Sequence, residues 1–169
     1  MRVDSEHHAV DAPTLELEKL SLHINNGTRR LLAVSEVSLR IDKGEVFALV
    51  GESGSGKSLI ARAIMRLLPP DLLHIEGKVR LCDEDVVEAS HARMRQLRGS
   101  RVSMIFQEPM ASLNPLMKVG VQIAESMSTH APMAKHDIAK KVLSLLKDVR
   151  FRDVDAVASA YPPQVSGGM

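Results

Sequence analysis

The residues best suited to chemistry are Gly51, Glu52, Ser53, Gly54, Ser55, Gly56, Lys57 and Ser58. Their order fits G-x-x-x-x-G-K-[ST], a phosphate-binding loop. Glycines 51, 54 and 56 let the chain curl tightly, with its N–H groups turned inward. Such amides form an anion nest, and the dipole of a following helix favours negative charge there as well. Lys57 is placed to reach β- and γ-phosphates, and the Ser58 hydroxyl to ligate Mg²⁺. A glycine-rich turn that merely carries a lysine would need no particular flanks. Here a strand is expected before the loop and a helix after it.

The strand is Glu45-Val46-Phe47-Ala48-Leu49-Val50, an apolar run rich in strand formers. The helix runs from Ser58 to Leu68, with apolar residues at helical spacing, and Pro69-Pro70 stops it. Upstream, Thr14 to Leu22 alternates in part and reads as a strand with one buried face. Asn25-Asn26-Gly27 signals a hairpin turn into a second such strand within Leu31–Ile41, and Asp42-Lys43-Gly44 is a further turn. Downstream, Gly77–Cys82 predicts a strand and His91–Leu97 a short basic helix. Arg101–Phe106 is strand-like and ends at Gln107-Glu108-Pro109. That places Gln107 at the carboxyl end of a strand, where open α/β sheets present ligand contacts. After Leu116 the periodicity turns helical over Val119–Met127 and Ile138–Val149, broken at Ala131-Pro132. Leu143, Leu145, Leu146 and Val149 are expected on one face of the second helix.

The fold class is therefore α/β, with an N-terminal antiparallel β region, parallel core strands and a helical insert. Residues 1–12 form a polar leader, 13–107 an antiparallel β region joined to a phosphate-loop core, and 108–169 a helical subdomain. Lys and Arg number 22 against 21 Asp and Glu, so net charge gives no reason to expect nucleic acid. Aromatic residues are only 2%, which argues against base-stacking platforms. Cys82 is the single cysteine, excludes an internal disulfide, and reads as a small buried hydrophobe on a strand. The scattered histidines suggest no metal site of their own. The first residues lack the apolar stretch of a signal peptide, and no apolar run approaches the roughly 20 residues of a membrane span. This composition is cytosolic in character.

Taken in order, these stretches resemble the ABC-type ATPases. Gly51–Ser58 matches Walker A, Phe106-Gln107 the Q-loop, and Ser166-Gly167-Gly168 the signature. The likeness is closer to the ATPase subunits of dipeptide, oligopeptide and nickel importers. Arg98-Gly99, Met104–Met110, Ser112-Leu113-Asn114-Pro115, Val119-Gly120 with Gln122-Ile123 and Glu125, and Tyr161-Pro162 with Gln164 carry it. It covers nearly everything after residue 12. It implies ATP and Mg²⁺ as ligands, with Gln107 touching Mg²⁺ or the attacking water. It implies that Ser166, Gly167 and Gly168 contact ATP held by a second ABC subunit, in a homo- or heterodimer.

The further partners implied are transmembrane permease subunits and, through them, a solute-binding protein. The place is the cytoplasmic face of the plasma membrane, and the task is ATP-driven import of a peptide or nickel. The family's Walker B aspartate, catalytic glutamate, D-loop and switch histidine follow the signature, so this chain is expected to be a fragment inactive on its own. By the same resemblance, the Walker B strand would lie between the strands at 46–50 and 101–106. A non-hydrolysing nucleotide-binding module and a non-transport ABC ATPase are the alternatives. The family stacks adenine on an aromatic upstream of Walker A, whereas the stretch His23-Ile24-Asn25 offers only a histidine ring.

Overall fold

The computed structural model describes residues 12–27, 29–130 and 133–165. The chain divides into two compact units, residues 1–101 and 102–169. The first is built on a four-stranded sheet in the order β2-β1-β3-β4, with β1 Leu15–Asn25, β2 Arg30–Ile41, β3 Leu73–Leu81 and β4 Glu84–Asp85. Every pairing in it is antiparallel. Two helices complete this unit, α1 Lys57–Ile64 and α2 His91–Leu97.

The leucines of β1 change phase partway along. Leu15 and Leu17 are odd-numbered, whereas Leu20 and Leu22 are even. A regular strand would turn one pair to solvent, because successive side chains alternate. The chain inserts one residue instead. Lys19 has φ 48°, and the register with both neighbours shifts there. Leu17, Leu20 and Leu22 are thereby all buried, with Val34, Leu73, Val79 and Leu81. Such a bulge leaves amides unpaired. A serine hydroxyl accepts here, Lys19 N–H donating to Ser38 Oγ at 2.9 Å, and at a second irregularity, Glu36 of β2 with φ 48°, the amide donates to Ser21 Oγ at 2.9 Å. Across the sheet stands Gly77, at φ 89°, where a Cβ would fall 2.5 Å from the carbonyl oxygens of Glu18 and Lys19.

Helix α1 stops at Ile64, earlier than the prolines require. Arg66 turns left-handed, at φ 48°. Leu67 N–H then bonds Arg62 O and Arg66 N–H bonds Ala63 O, both at 2.9 Å, which closes a Schellman cap without glycine. Arg98 seals the same end, with Nε donating to Met65 O at 2.8 Å and Nη2 to Arg66 O at 2.6 Å. A guanidinium there also opposes the negative end of the helix dipole. Arg66 itself reaches the carbonyls of Val86 and Ala89. Ser90 caps α2, accepting from Arg93 N–H at 3.1 Å. Arg93 forms a forked ion pair with Glu84, whose carboxyl is held below its usual range chiefly by that hydrogen bond.

The second unit packs α3 Val119–His130, α4 Lys135–Asp148 and α5 Val154–Ser159. Its core is Ile138, Val142, Leu146 and Val157, with Ile123, Met127 and Phe151 against it. On α4 the buried face is therefore 138, 142 and 146, an i, i+4 row. Leu145 and Val149, expected on that face, are exposed. Helix α5 escaped prediction because it is one and a half turns long, although Asp153 caps it by accepting from Ala156 N–H at 2.9 Å. The helix break expected at Ala131-Pro132 lies outside the described residues.

Three expectations are corrected. Residues 45–50 form no strand, the strand expected over 101–106 is reduced to a single bridge residue at Val102, and no two strands pair in parallel among the described residues. β-propensity reflects fit to a paired, half-buried surface, and among the described residues neither segment has a strand to pair with. Val46, Val50 and Ile105 are accordingly 96%, 89% and 90% exposed. Cys82 is not on a strand but in the two-residue turn with Asp83, at φ 48° and 69°.

Two outcomes follow. An unpaired apolar run is an edge that recruits other chains. The chain should self-associate with concentration in sedimentation velocity, and the pair Val46→Lys, Val50→Lys should shift it toward monomer. An unchanged distribution would acquit this segment. Arg98→Met removes two charge-assisted hydrogen bonds, a loss of about 1.5–3 kcal/mol each. Amide exchange should then accelerate at least tenfold in α1 and stay unchanged in α3, α4 and α5.

Candidate phosphate site and family

The phosphate loop opens helix α1. Gly56 is the N-cap, left-handed at φ 89°, and its carbonyl accepts from Ile60 N–H at 2.9 Å. Gly54 is left-handed too, at φ 83°. Both conformations favour glycine over any residue with a side chain. Gly56 is fixed by space as well, since a Cβ there would stand 2.7 Å from Val34 Cγ2. A Cβ on Gly51 would lie 2.8 Å from Ser55 Oγ, inside the curl of the loop. Ser55 N–H turns back to Glu52 O at 3.3 Å.

The Lys57 ammonium lies over this curl. It donates to Gly51 O at 2.7 Å, Glu52 O at 2.6 Å and Ser55 Oγ at 3.1 Å. These are the three donors an ammonium has. The cation thus sits across the loop, at the positive end of α1, where an anion would be received. The Ser58 hydroxyl has no hydrogen-bond partner among the described residues. A cavity of 360 Å³ adjoins the loop, lined by Gly54 to Leu59, Arg62, Ile24 and Ala33.

The cavity settles which upstream residue faces the loop. It is Ile24. His23 points to the other face of β1, with Nε2 3.3 Å from Glu76 Oε1 and its ring 6.0 Å from that of His74. Alternation along the strand forces this division. The histidine ring noted in the sequence is therefore not the group beside the phosphate loop.

Gln107 belongs to the second unit. It is exposed, in a bend that follows the unpaired segment 103–106 and precedes a 3₁₀ turn over Pro109–Ser112. It ends an extended segment, not a sheet strand. Ser166, Gly167 and Gly168 lie outside the described residues. Several residues that carried the resemblance prove architectural. Gln122 staples the loop before α3, with Nε2 donating to Asn114 O at 3.0 Å and Met117 O at 2.9 Å, and Oε1 accepting from Asn114 N–H at 2.9 Å. Gly120 lets α3 meet α5, since a Cβ there would lie 2.8 Å from Ala158 O. Gln164 Oε1 accepts from Tyr161 N–H at 2.8 Å.

The ABC transporter family model matches residues 34–169. The chain is 42% identical over 158 residues to the probable D,D-dipeptide transport ATP-binding protein DdpD of Escherichia coli K12, covering 93% of this chain and 48% of that protein. It is 38% identical to the oligopeptide transport ATP-binding protein OppD of Lactococcus lactis subsp. cremoris, over 92% of this chain and 46% of the relative. It is 41% identical to the glutathione import ATP-binding protein GsiA of Salmonella paratyphi A, over 92% of this chain and 26% of the relative. The chain thus spans half or less of the length of these curated relatives. The dimeric structure of MJ0796, a bacterial ABC transporter cassette, gives a TM-score of 0.76 at 24% identity, covering 91% of this chain and 64% of that one. At that identity the likeness speaks to the fold. With a family model matching most of its length, and a glycine-curled loop at the head of α1, this chain belongs to the ABC transporter family.

Proposed function

We propose that the chain is the phosphate-loop portion of an ATP-binding subunit, one that couples ATP binding and hydrolysis to import of a peptide-class solute. The observation that carries this reading is the Lys57 ammonium lying over the curl of Gly51–Ser55, at the N-terminus of α1. A triphosphate entering the loop offers the lysine anionic acceptors in exchange for two carbonyls and a hydroxyl. Charge-assisted bonds are the stronger kind, so the exchange favours the bound state. The solute class rests on the relatives, whose names speak of D,D-dipeptide, oligopeptide and glutathione.

The residues present fit Mg²⁺. Ser58, whose hydroxyl has no hydrogen-bond partner among the described residues, would hold the ion one residue after the lysine, and Gln107 is assigned to it on resemblance alone. When bound, the ion would neutralise charge on the phosphate oxygens. Ser166, Gly167 and Gly168 are assigned to the nucleotide of a second ABC subunit, on resemblance. The helices α3 and α4 are assigned to a transmembrane permease subunit. No helix among the described residues is long and apolar enough to cross a membrane. A peripheral position on the cytoplasmic face accords with that, the membrane contact coming through the permease.

Two measurements test the reading. In the complete subunit, Lys57→Ala should abolish Mg-ATP binding in calorimetry, and unchanged affinity would show that the phosphate loop does not hold the nucleotide. In a Cys82→Ser background, single cysteines along α4 should cross-link to a transmembrane subunit in membranes. Cross-links confined to this chain would sink the partner assignment.

A further inference from the structure

The cavity beside the phosphate loop extends past the residues that would hold phosphate. Its 360 Å³ lies within the range of about 300–1,000 Å³ usual for small-molecule sites. One wall is α1, where Ser58, Leu59 and Arg62 fall on a single face at i, i+3 and i, i+4 spacing. The other wall is aliphatic, Ile24 from β1 and Ala33 from β2. Arg62 lies about 6 Å along the helix axis from Ser58. Helical side chains lean toward the N-terminus, which carries the guanidinium back toward the loop. It makes no hydrogen bond or ion pair among the described residues. Among the described residues no aromatic side chain lines the cavity.

A planar cation without a hydrogen bond or ion pair among the described residues thus lines the same cavity as two aliphatic side chains, beside the phosphate loop. We propose that Arg62 holds the nucleobase, its guanidinium stacked on one face of the ring and Ile24 packed on the other. This rests on the nucleotide-binding reading above and adds the group that grips the base. Guanidinium planes stack on bases, and the attraction of a cation for a π-face does not depend on which base it is. Ile24 and Ala33 carry no side-chain donor or acceptor, so no side chain there reads the edge of the ring. The site therefore accepts adenine and guanine nucleotides alike.

Calorimetry on the full chain separates this from the reading beneath it. The titrants are Mg-ATP, Mg-GTP and Mg-tripolyphosphate, which has the phosphates and no base. The wild type should bind ATP and GTP within about threefold of each other, as stacking without edge contacts requires. Arg62→Gln should weaken both roughly fivefold and leave tripolyphosphate unchanged. Arg62→Lys should behave like Arg62→Gln, because an ammonium keeps the charge and lacks the plane. Circular dichroism of both variants checks that α1 persists. Four results would overturn the proposal: no effect of Arg62→Gln on ATP, an equal loss for tripolyphosphate, restored affinity in Arg62→Lys, or a strong preference of the wild type for ATP. Lys57→Ala should lose tripolyphosphate. If it does not, the phosphate loop itself is at fault, whatever Arg62 does.

Discussion

Gly56 is the point on which the first unit turns. Its left-handed backbone ends the loop and starts α1, and its bare Cα rests against Val34 of β2. Any side chain there would have to displace a buried valine and adopt a conformation costly to L-residues. The same residue therefore sets the direction of the helix, the distance of the loop from the sheet, and the outlook of Lys57. Arg98 holds the far end of the helix through the carbonyls of Met65 and Arg66. An eight-residue helix has little stability of its own. Its persistence comes from being pinned at both ends and buried at Ile60 and Ala63 between them.

The sheet shows a related economy. The bulge at Lys19 solves a phase problem in the leucine pattern, and Gly77 makes room for it across the strand pair. Two hydroxyls then satisfy the amides exposed at Lys19 and Glu36. Ser21 is buried for that reason, the one polar residue in the core among the described residues. The result is a β1 whose two faces have different tasks near the hairpin. Ile24 looks toward the phosphate loop, while His23 looks toward Glu76 and His74.

Much of this was legible in residue order, and the gaps have physical causes. The loop, the hairpin and the limits of α2 follow from short-range rules: glycine placement, turn residues, a serine cap. The site lysine could be named from its motif, but not its resting place on Gly51, Glu52 and Ser55, which depends on the realised curl. The left-handed Arg66 defeated the reading of α1, because a cap without glycine leaves no mark in composition. The face of α4 was misjudged because four apolar residues lie close together, and only packing decides that Val142 and Leu146 go in while Leu145 and Val149 stay out. Arg62 carried no signal either. An arginine on an amphipathic helix reads as solvated surface until the opposite wall of the cavity is known.

Residues 45–50 are the strongest case, because the failure there bears on the site. Their composition is that of a strand, and a strand exists only against a neighbour. Without one, the phosphate loop is anchored from its helical side, by Gly56 on Val34, and enters from a segment with Val50 in solvent. The bonds from Lys57 to Gly51 and Glu52 then tie the entry of the loop to the first residue of α1. On the nucleotide-binding reading proposed above, phosphate would take the lysine from those carbonyls, and bonds to a charged group are worth about 1.5–3 kcal/mol each. A partner strand beside 46–50 would fix Gly51 without the lysine's help. Pairing of such a strand and phosphate binding would then be linked: each would make the other less costly, and by reciprocity each would raise the other's apparent affinity by the same factor.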